Sequence, residues 1–276
     1  AQPLCGRRAR IFAKREKMKT KYPIILAHGI VLKDFKYFKA FGKIEKILRA
    51  EGCRVYTAKT DGFGTVEGNA AQLKAQITEI LQAEQTDKVN IIAHSKGGLD
   101  ARYMIEHLGM EDAVASLTTL CTPHKGSQIA TKISSMPKPV KKFIAFWVNT
   151  VYRIFGDKRP DALAVCEQLK SSPQAVTEVI DFSDKVYCQS YSAQMRRSRD
   201  DFVMGIPLMF SKRYENGATD GLVSEESSKF GSYRGECTSG SVSHSEIVDF
   251  MVKKSKKEKI YAFYIQLCRE LAEKGF

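Results

Sequence analysis

A serine hydroxyl becomes a nucleophile only when it stands clear of the surrounding backbone and a base can reach it. Ser95 is placed for that. It ends an apolar, β-branched run, Lys88-Val-Asn-Ile-Ile-Ala-His94, and is followed at once by Lys-Gly-Gly and a helical stretch. A strand that turns sharply into a helix at a serine holds the residue in strained geometry and lifts its hydroxyl off the sheet. The two arms of such a turn nearly touch, so small residues are needed two positions to either side, and Ala93 and Gly97 meet that need. The serine also falls at a helix N-terminus, where the amide of Lys96 is free to bind an oxyanion. Ala27-His28-Gly29-Ile30 follows the first apolar run and offers the amide of Ile30 as a second donor. The plain alternative for Ser95 is a structural turn residue.

The base must be a histidine and needs an anion to fix its tautomer. There are five histidines. His28 and His94 sit beside the two turns just described, His107 lies within a helical stretch, and His124 follows a strand end. His244 is far downstream, in the polar loop Ser-Val-Ser-His-Ser. Between Ser95 and His244, Ala218-Thr-Asp220-Gly-Leu-Val223 puts a carboxylate on a turn. The order Ser95, Asp220, His244 is the one a triad takes when it is built on a parallel sheet. Alone, Asp220 would read equally well as a turn cap.

The elements that must position these groups alternate along the chain. Strands are expected at 22–28, 53–58, 88–94, 116–121 and 185–191, and helices at 35–50, 69–84, 98–108 and 259–274. That alternation predicts an α/β fold with a mostly parallel sheet covered by helices on both faces. No internal repeat or linker divides the 276 residues, so one domain is expected. Residues 127–184 break the rhythm with four prolines and an apolar stretch, Val140–Phe155. Lys141, Asn149 and Arg153 form one narrow polar stripe on it, with Phe143, Phe146, Trp147, Val151 and Ile154 opposite. It reads either as a core helix or as a mobile cover over an apolar cleft.

The net charge of +13 suggests a polyanion partner until it is located. Residues 1–21 net +7 and residues 252–260 net +4, leaving +2 for everything else. These are short runs of the kind found on solvated faces, and no zinc-finger, RNA-binding or basic-helix signature accompanies them, so nucleic acid is not an expected partner. No apolar run approaches the roughly 20 residues of a membrane span, and a soluble globular protein is expected. Seven cysteines without a C-x-x-C pair argue against a disulfide framework, and Cys53, Cys121 and Cys188 fall in runs expected to be buried.

With these motifs in view, the chain resembles the bacterial triacylglycerol lipases of the α/β-hydrolase fold, the group that includes the Pseudomonas and Burkholderia enzymes. The resemblance rests on Tyr22-Pro-Ile-Ile-Leu-Ala-His-Gly29, Ala93-His-Ser-Lys-Gly-Gly98, Thr122-Pro-His-Lys-Gly-Ser127, Thr219-Asp-Gly-Leu-Val223 and His244. It implies a serine carboxylic-ester hydrolase acting on lipid esters at a lipid–water interface, with Ser95 as nucleophile, His244 as base, Asp220 as its orienting acid and the Ile30 and Lys96 amides as oxyanion hole. It also makes 127–184 the place of a helical lid, with Phe143, Phe146 and Trp147 facing substrate, and it implies secretion or a cell-surface location, with a cytoplasmic one as the alternative. An acyltransferase or phospholipase on the same triad, or a noncatalytic lipid-binding protein on the same fold, are the competing readings. No cofactor is required. A structural calcium ion is part of the group's pattern, held by an aspartate upstream of the catalytic acid and another two residues after the histidine. Here Asp200 or Asp201 could fill the first place, but the second is Glu246, a methylene longer.

Overall fold

The computed structural model describes residues 19–30, 39–154, 156–170, 184–201, 204–205, 208–209 and 217–276. Most of the basic N-terminal segment, the start of the helix expected at 35–50, Phe155 and the stretch 171–183 that ends the 127–184 insertion lie outside the described residues. Six strands, β1 (Ile24–Ala27), β2 (Val55–Thr57), β3 (Val89–His94), β4 (Val114–Leu120), β5 (Tyr187–Ser192) and β6 (Ser232–Glu236), form one sheet in the order β2-β1-β3-β4-β5-β6. Every pairing is parallel. The described helices are α1 (Ile44–Ala50), α2 (Val66–Glu84), α3 (Lys96–His107), α4 (Gln128–Ser134), α5 (Lys138–Ile154), α6 (Ala162–Gln168), α7 (Glu225–Ser228) and α8 (Lys254–Glu273).

Side chains alternate across the central strands, and each set finds its own helices. Ile24 and Leu26 of β1, with Ile92 of β3, pack in one cluster with Ile44 and Leu48 of α1 and Ile260, Tyr264 and Leu267 of α8. Ile25, Ala27, Ile91 and Ala93 point the other way, onto Ala70, Leu73 and Ile77 of α2 and Ala101, Met104 and Ile105 of α3. Both faces are therefore covered, as the continuous apolar runs of β1 and β3 require. The spacing of Ala70, Leu73 and Ile77 is that of one helical face, and Thr65 caps α2 by accepting from the Gly68 amide. Leu73 and Ile77 are fully buried, each contributing about 2 kcal/mol by area.

The α/β expectation holds, with differences at the edges. β6, Ser-Tyr-Arg-Gly-Glu, has only β5 beside it and alternates between exposed and half-exposed positions. No apolar face needs burying there, so the sequence carries no strand signal. Helix α8 begins at Lys254, a turn before the expected start, because its first turn is built of lysines that bind carboxylates and bury no apolar surface.

Helix α5 sits the other way round from an ordinary amphipathic helix. Ala145 is its one buried residue, while Phe143, Phe146 and Trp147 are 65%, 63% and 54% exposed. Two residues of the expected wet stripe turn inward, while Arg153 stays exposed: Lys141 Nζ donates to the Ser134 carbonyl at 2.6 Å, and Asn149 Oδ1 accepts from the Ala162 amide at 2.8 Å. The reading of this stretch as a core helix is thereby corrected. Its polar groups satisfy the ends of α4 and α6, which leaves the apolar face outward.

A Cβ at Gly97 would lie 2.6 Å from the His28 carbonyl oxygen and 2.7 Å from that of Ala27. Both neighbours are backbone and cannot move independently of β1. Gly97→Ala is expected to destabilise the fold by about 2 kcal/mol or more, read as a lowered urea midpoint at unchanged slope.

Candidate active site

Strand β3 delivers Ser95 and helix α3 begins at the next residue. Ser95 has φ 55° and ψ −133°, a conformation that only a well-buttressed residue keeps. The buttress is steric. A Cβ on Gly29 would lie 2.7 Å from the Ser95 Cβ and 2.8 Å from the Lys96 nitrogen, and one on Gly98 would collide with the Thr122 side chain. The loop after β1 therefore runs directly against the elbow, beside the Lys96 amide. As the first residue of α3, Lys96 has an amide without an intrahelical acceptor. Ile30 is half-buried and packs with Phe63 and Leu99 on a small apolar cluster of Ala130, Val165 and Leu169.

The three residues singled out for chemistry meet. His244 Nε2 lies 2.8 Å from Ser95 Oγ, and its Nδ1 lies 2.6 Å from Asp220 Oδ2. Asp220 is fully buried; its other oxygen accepts from the amides of Leu222 and Val223 at 2.9 and 2.8 Å. Two backbone donors keep that carboxylate aimed. With Nδ1–H committed to Asp220, Nε2 presents its lone pair to the serine. The His244 amide also donates to the Asp220 carbonyl at 3.0 Å, so backbone and side chain hold the pair in one register.

Several contributors carried no sequence signal of their own. His94 is buried, and its Nε2 lies 3.0 Å from the His244 carbonyl oxygen, with the two rings 4.6 Å apart. Burial, then the neighbouring His244 and His28, push the His94 pKa well below the usual histidine value, so it is neutral and its Nε2–H donates to that carbonyl. Cys121 lies at the end of β4 beside Asp220. A hydrogen bond with Cys237 and burial push its thiol well above the ordinary range, with the Asp220 charge adding to the shift. The described cysteines, Cys53, Cys121, Cys166, Cys188, Cys237 and Cys268, are free thiols.

Lys96 contributes more than its amide. Its side chain is fully buried, with Nζ 2.7 and 2.9 Å from the two oxygens of Asp100. Burial pushes Asp100 up to about 6 against the pull of Lys96. Asn69 Nδ2 donates to Asp100 and to the Asp61 carbonyl, and the Asp61 carboxylate accepts from the amides of Lys158 and Arg159. A buried polar chain thus runs from the elbow to the loop that follows α5.

The calcium implied by the resemblance finds no fitting set. Both oxygens of Glu246 are taken by Lys256 Nζ, at 2.8 and 2.6 Å. Asp201 accepts from both Ser243 and Ser245 hydroxyls on one oxygen and from the Met204 amide on the other. Asp200 accepts from the Ser241 hydroxyl and the Arg197 amide. Calcium needs six to eight oxygen ligands; here an ammonium takes both oxygens of Glu246, and donors bind both oxygens of Asp201 and one of Asp200.

A six-stranded parallel sheet with a serine at the strand-to-helix elbow, backed by histidine and aspartate, is the architecture of an α/β-hydrolase. The model of the family described as palmitoyl protein thioesterase matches residues 23–177, more than half of the chain, and the chain belongs to that family. Its curated relatives include triacylglycerol lipase 2 of Saccharomyces cerevisiae, 29% identical over 84% of this chain and 73% of the relative. The triacylglycerol lipases of Pseudarthrobacter phenanthrenivorans and Burkholderia plantarii are each 37% identical over 56% of this chain. The matched region spans about half the length of these two bacterial relatives, 52% and 47%. Among solved structures, a Bacillus licheniformis lipase in mature form superposes with TM-score 0.66 at 21% identity, covering 90% of this chain and 92% of that one. Staphylococcus hyicus lipase gives TM-score 0.66 at 14% identity, covering 94% of this chain and 97% of that one. These two share the fold.

Removing one partner of a buried ion pair leaves the other uncompensated. Lys96→Met is expected to cost about 3–5 kcal/mol of unfolding free energy, and Lys96→Met with Asp100→Leu to recover most of it. Urea unfolding of the single and double variants checks both.

Proposed function

We propose that the protein is a serine carboxylic-ester hydrolase acting on lipid esters such as acylglycerols. The observation that carries this is the unbroken line from Asp220 through His244 to Ser95, at 2.6 and 2.8 Å, ending at a helix N-terminus. Ser95 Oγ attacks the ester carbonyl while His244 Nε2 takes its proton. The carbonyl oxygen becomes an oxyanion held by the Lys96 and Ile30 amides. Collapse of this intermediate expels the alcohol, which receives the proton from His244, and leaves an acyl-serine. Water attacks the acyl-serine with His244 again as base and releases the fatty acid. Asp220 stabilises the imidazolium at each stage without itself gaining the proton.

The lipid preference is supported by the relatives' names and by apolar surface on this chain. Ile30, whose amide is one oxyanion donor, sits with half-buried Phe63 and Leu99 on the buried cluster of Ala130, Val165 and Leu169, and these three half-buried side chains suit an acyl chain. No described helix is long and apolar enough to cross a membrane. The interface is instead engaged by α5, the lid of this reading, whose Phe143, Phe146 and Trp147 face outward and whose Lys138 and Lys142 are exposed at its start. Secretion or a cell-surface location, implied by the resemblance, belongs to the same proposal.

Ser95→Ala is expected to abolish ester hydrolysis and fluorophosphonate labelling with the fold intact. Asp220→Asn is expected to lower kcat on the order of 10⁴-fold, since it fixes the wrong tautomer of His244. A Ser95→Ala variant that keeps a tenth of the wild-type kcat would overturn the assignment. An added alcohol that diverts product to a new ester without changing the acylation rate would mark an acyltransferase instead.

Trp147 is the only tryptophan and reports on α5. Its emission is expected to shift to the blue on adding anionic vesicles, together with a rise in specific activity. Fixed emission alongside high activity on emulsified ester would remove α5 from the interface.

A further inference from the structure

The basic run at 252–260 has a structural use that its appearance as a solvated face conceals. His244 sits between Ser243 and Ser245, whose hydroxyls both donate to Asp201, and Ser243 also donates its amide to Glu246 at 3.1 Å. Asp201 is 8% exposed and Glu246 2% exposed. Two buried carboxylates therefore grip the residues around the histidine, and buried carboxylates need a compensating charge. The first turn of α8 supplies it. Lys256 binds both oxygens of Glu246, and Lys257 lies 3.6 Å from Asp249, which also accepts from the Tyr261 hydroxyl and the Lys43 amide. Lysines in the first turn of a helix oppose its dipole, so their placement is not a product of helix formation. Through Glu246, Lys256 occupies a position that the family resemblance would give to calcium.

We infer that Lys256 is the positioning residue for His244, its ammonium neutralising Glu246 and fastening the histidine loop to α8 in place of a divalent cation. The inference rests on the hydrolase reading for the role of His244, and the clamp itself rests on the contacts of Glu246. One ammonium carries half the charge of calcium and needs one close carboxylate where calcium needs several oxygens. Glutamate at position 246 fits this arrangement: it reaches Lys256 on the neighbouring helix with both oxygens while Oε2 keeps the Ser243 amide.

The test uses the full chain and three variants: Lys256→Met, Lys256→Arg, and Lys256→Met combined with Glu246→Gln. Readouts are kcat and KM on a soluble p-nitrophenyl ester, the rate of fluorophosphonate labelling, and Tm with and without excess EDTA. Lys256→Met is expected to lower kcat and labelling about tenfold or more, the scale of an outer-shell partner of a site histidine, with KM little changed. Lys256→Arg keeps most of the rate, and the double variant regains it because no buried charge is left unpaired. Wild-type Tm and labelling do not respond to EDTA.

A Lys256→Met variant that labels at the wild-type rate overturns the clamp. So does a wild type whose Tm falls on chelation. If Lys256→Met does not fold, the double variant decides: a folded protein with restored labelling supports the inference, and one no better than the single variant refutes it. A wild type that folds but never labels defeats the hydrolase reading alone, and the Tm comparisons still judge the clamp.

Discussion

Where the chain passes from β3 into α3 at Ser95, three backbone segments meet with almost no side chain between them. Gly29 lies against Ser95 and Lys96, Gly97 against the carbonyls of Ala27 and His28, and Gly98 against Thr122. This close approach holds a non-glycine residue at φ 55° and brings the loop after β1 beside the first amide of the helix. Every later feature of the site presupposes it. The histidine can be aimed at a hydroxyl only if that hydroxyl stands in one place, and the Ile30 and Lys96 amides can serve the proposed oxyanion only if two loops from different strands converge.

Three of the buried carboxylates around this point, Asp220, Asp100 and Glu246, are compensated in two ways. Asp220 has two backbone amides and the imidazole of His244. Asp100 has the ammonium of Lys96 and an amide donor from Asn69. Glu246 has the ammonium of Lys256. On the proposed mechanism, the first arrangement leaves the anion free to stabilise the imidazolium that forms during chemistry. The other two set an ion pair once and leave it, so they serve as fixed struts rather than as partners in reaction. The same residue type thus performs different work according to what neutralises it.

The sequence disclosed what is local or periodic. The strand-to-helix turn at Ser95, the apolar faces of α2 and α8, and the order of serine, aspartate and histidine are all visible as spacing. β6 was invisible because an edge strand whose inner face is half-exposed and largely polar has no apolar period to detect. The struts were invisible for another reason: Lys96 with Asp100 is a helical i, i+4 pair whose burial only the sheet beneath it decides, and Lys256 meets Glu246 across a turn between two elements. The orientation of α5 was also hidden. Its pattern gives one apolar and one polar face, but which face turns inward depends on the open carbonyl and amide at the ends of α4 and α6. The legible part of a site is thus the part written along one element, and compensation between elements has no such signature.

Helix α5 is tied at both ends. Lys141 holds its start to the Ser134 carbonyl, Asn149 and Tyr152 bind its inner face to Ala162 and Phe63, and the amides of Lys158 and Arg159 just beyond it are fixed by the buried Asp61. A rod pinned at its two ends cannot swing out like a flap without breaking a buried anchor. Rolling about its own axis would break the same contacts, so the helix acts as a fixed ledge that holds its apolar face outward.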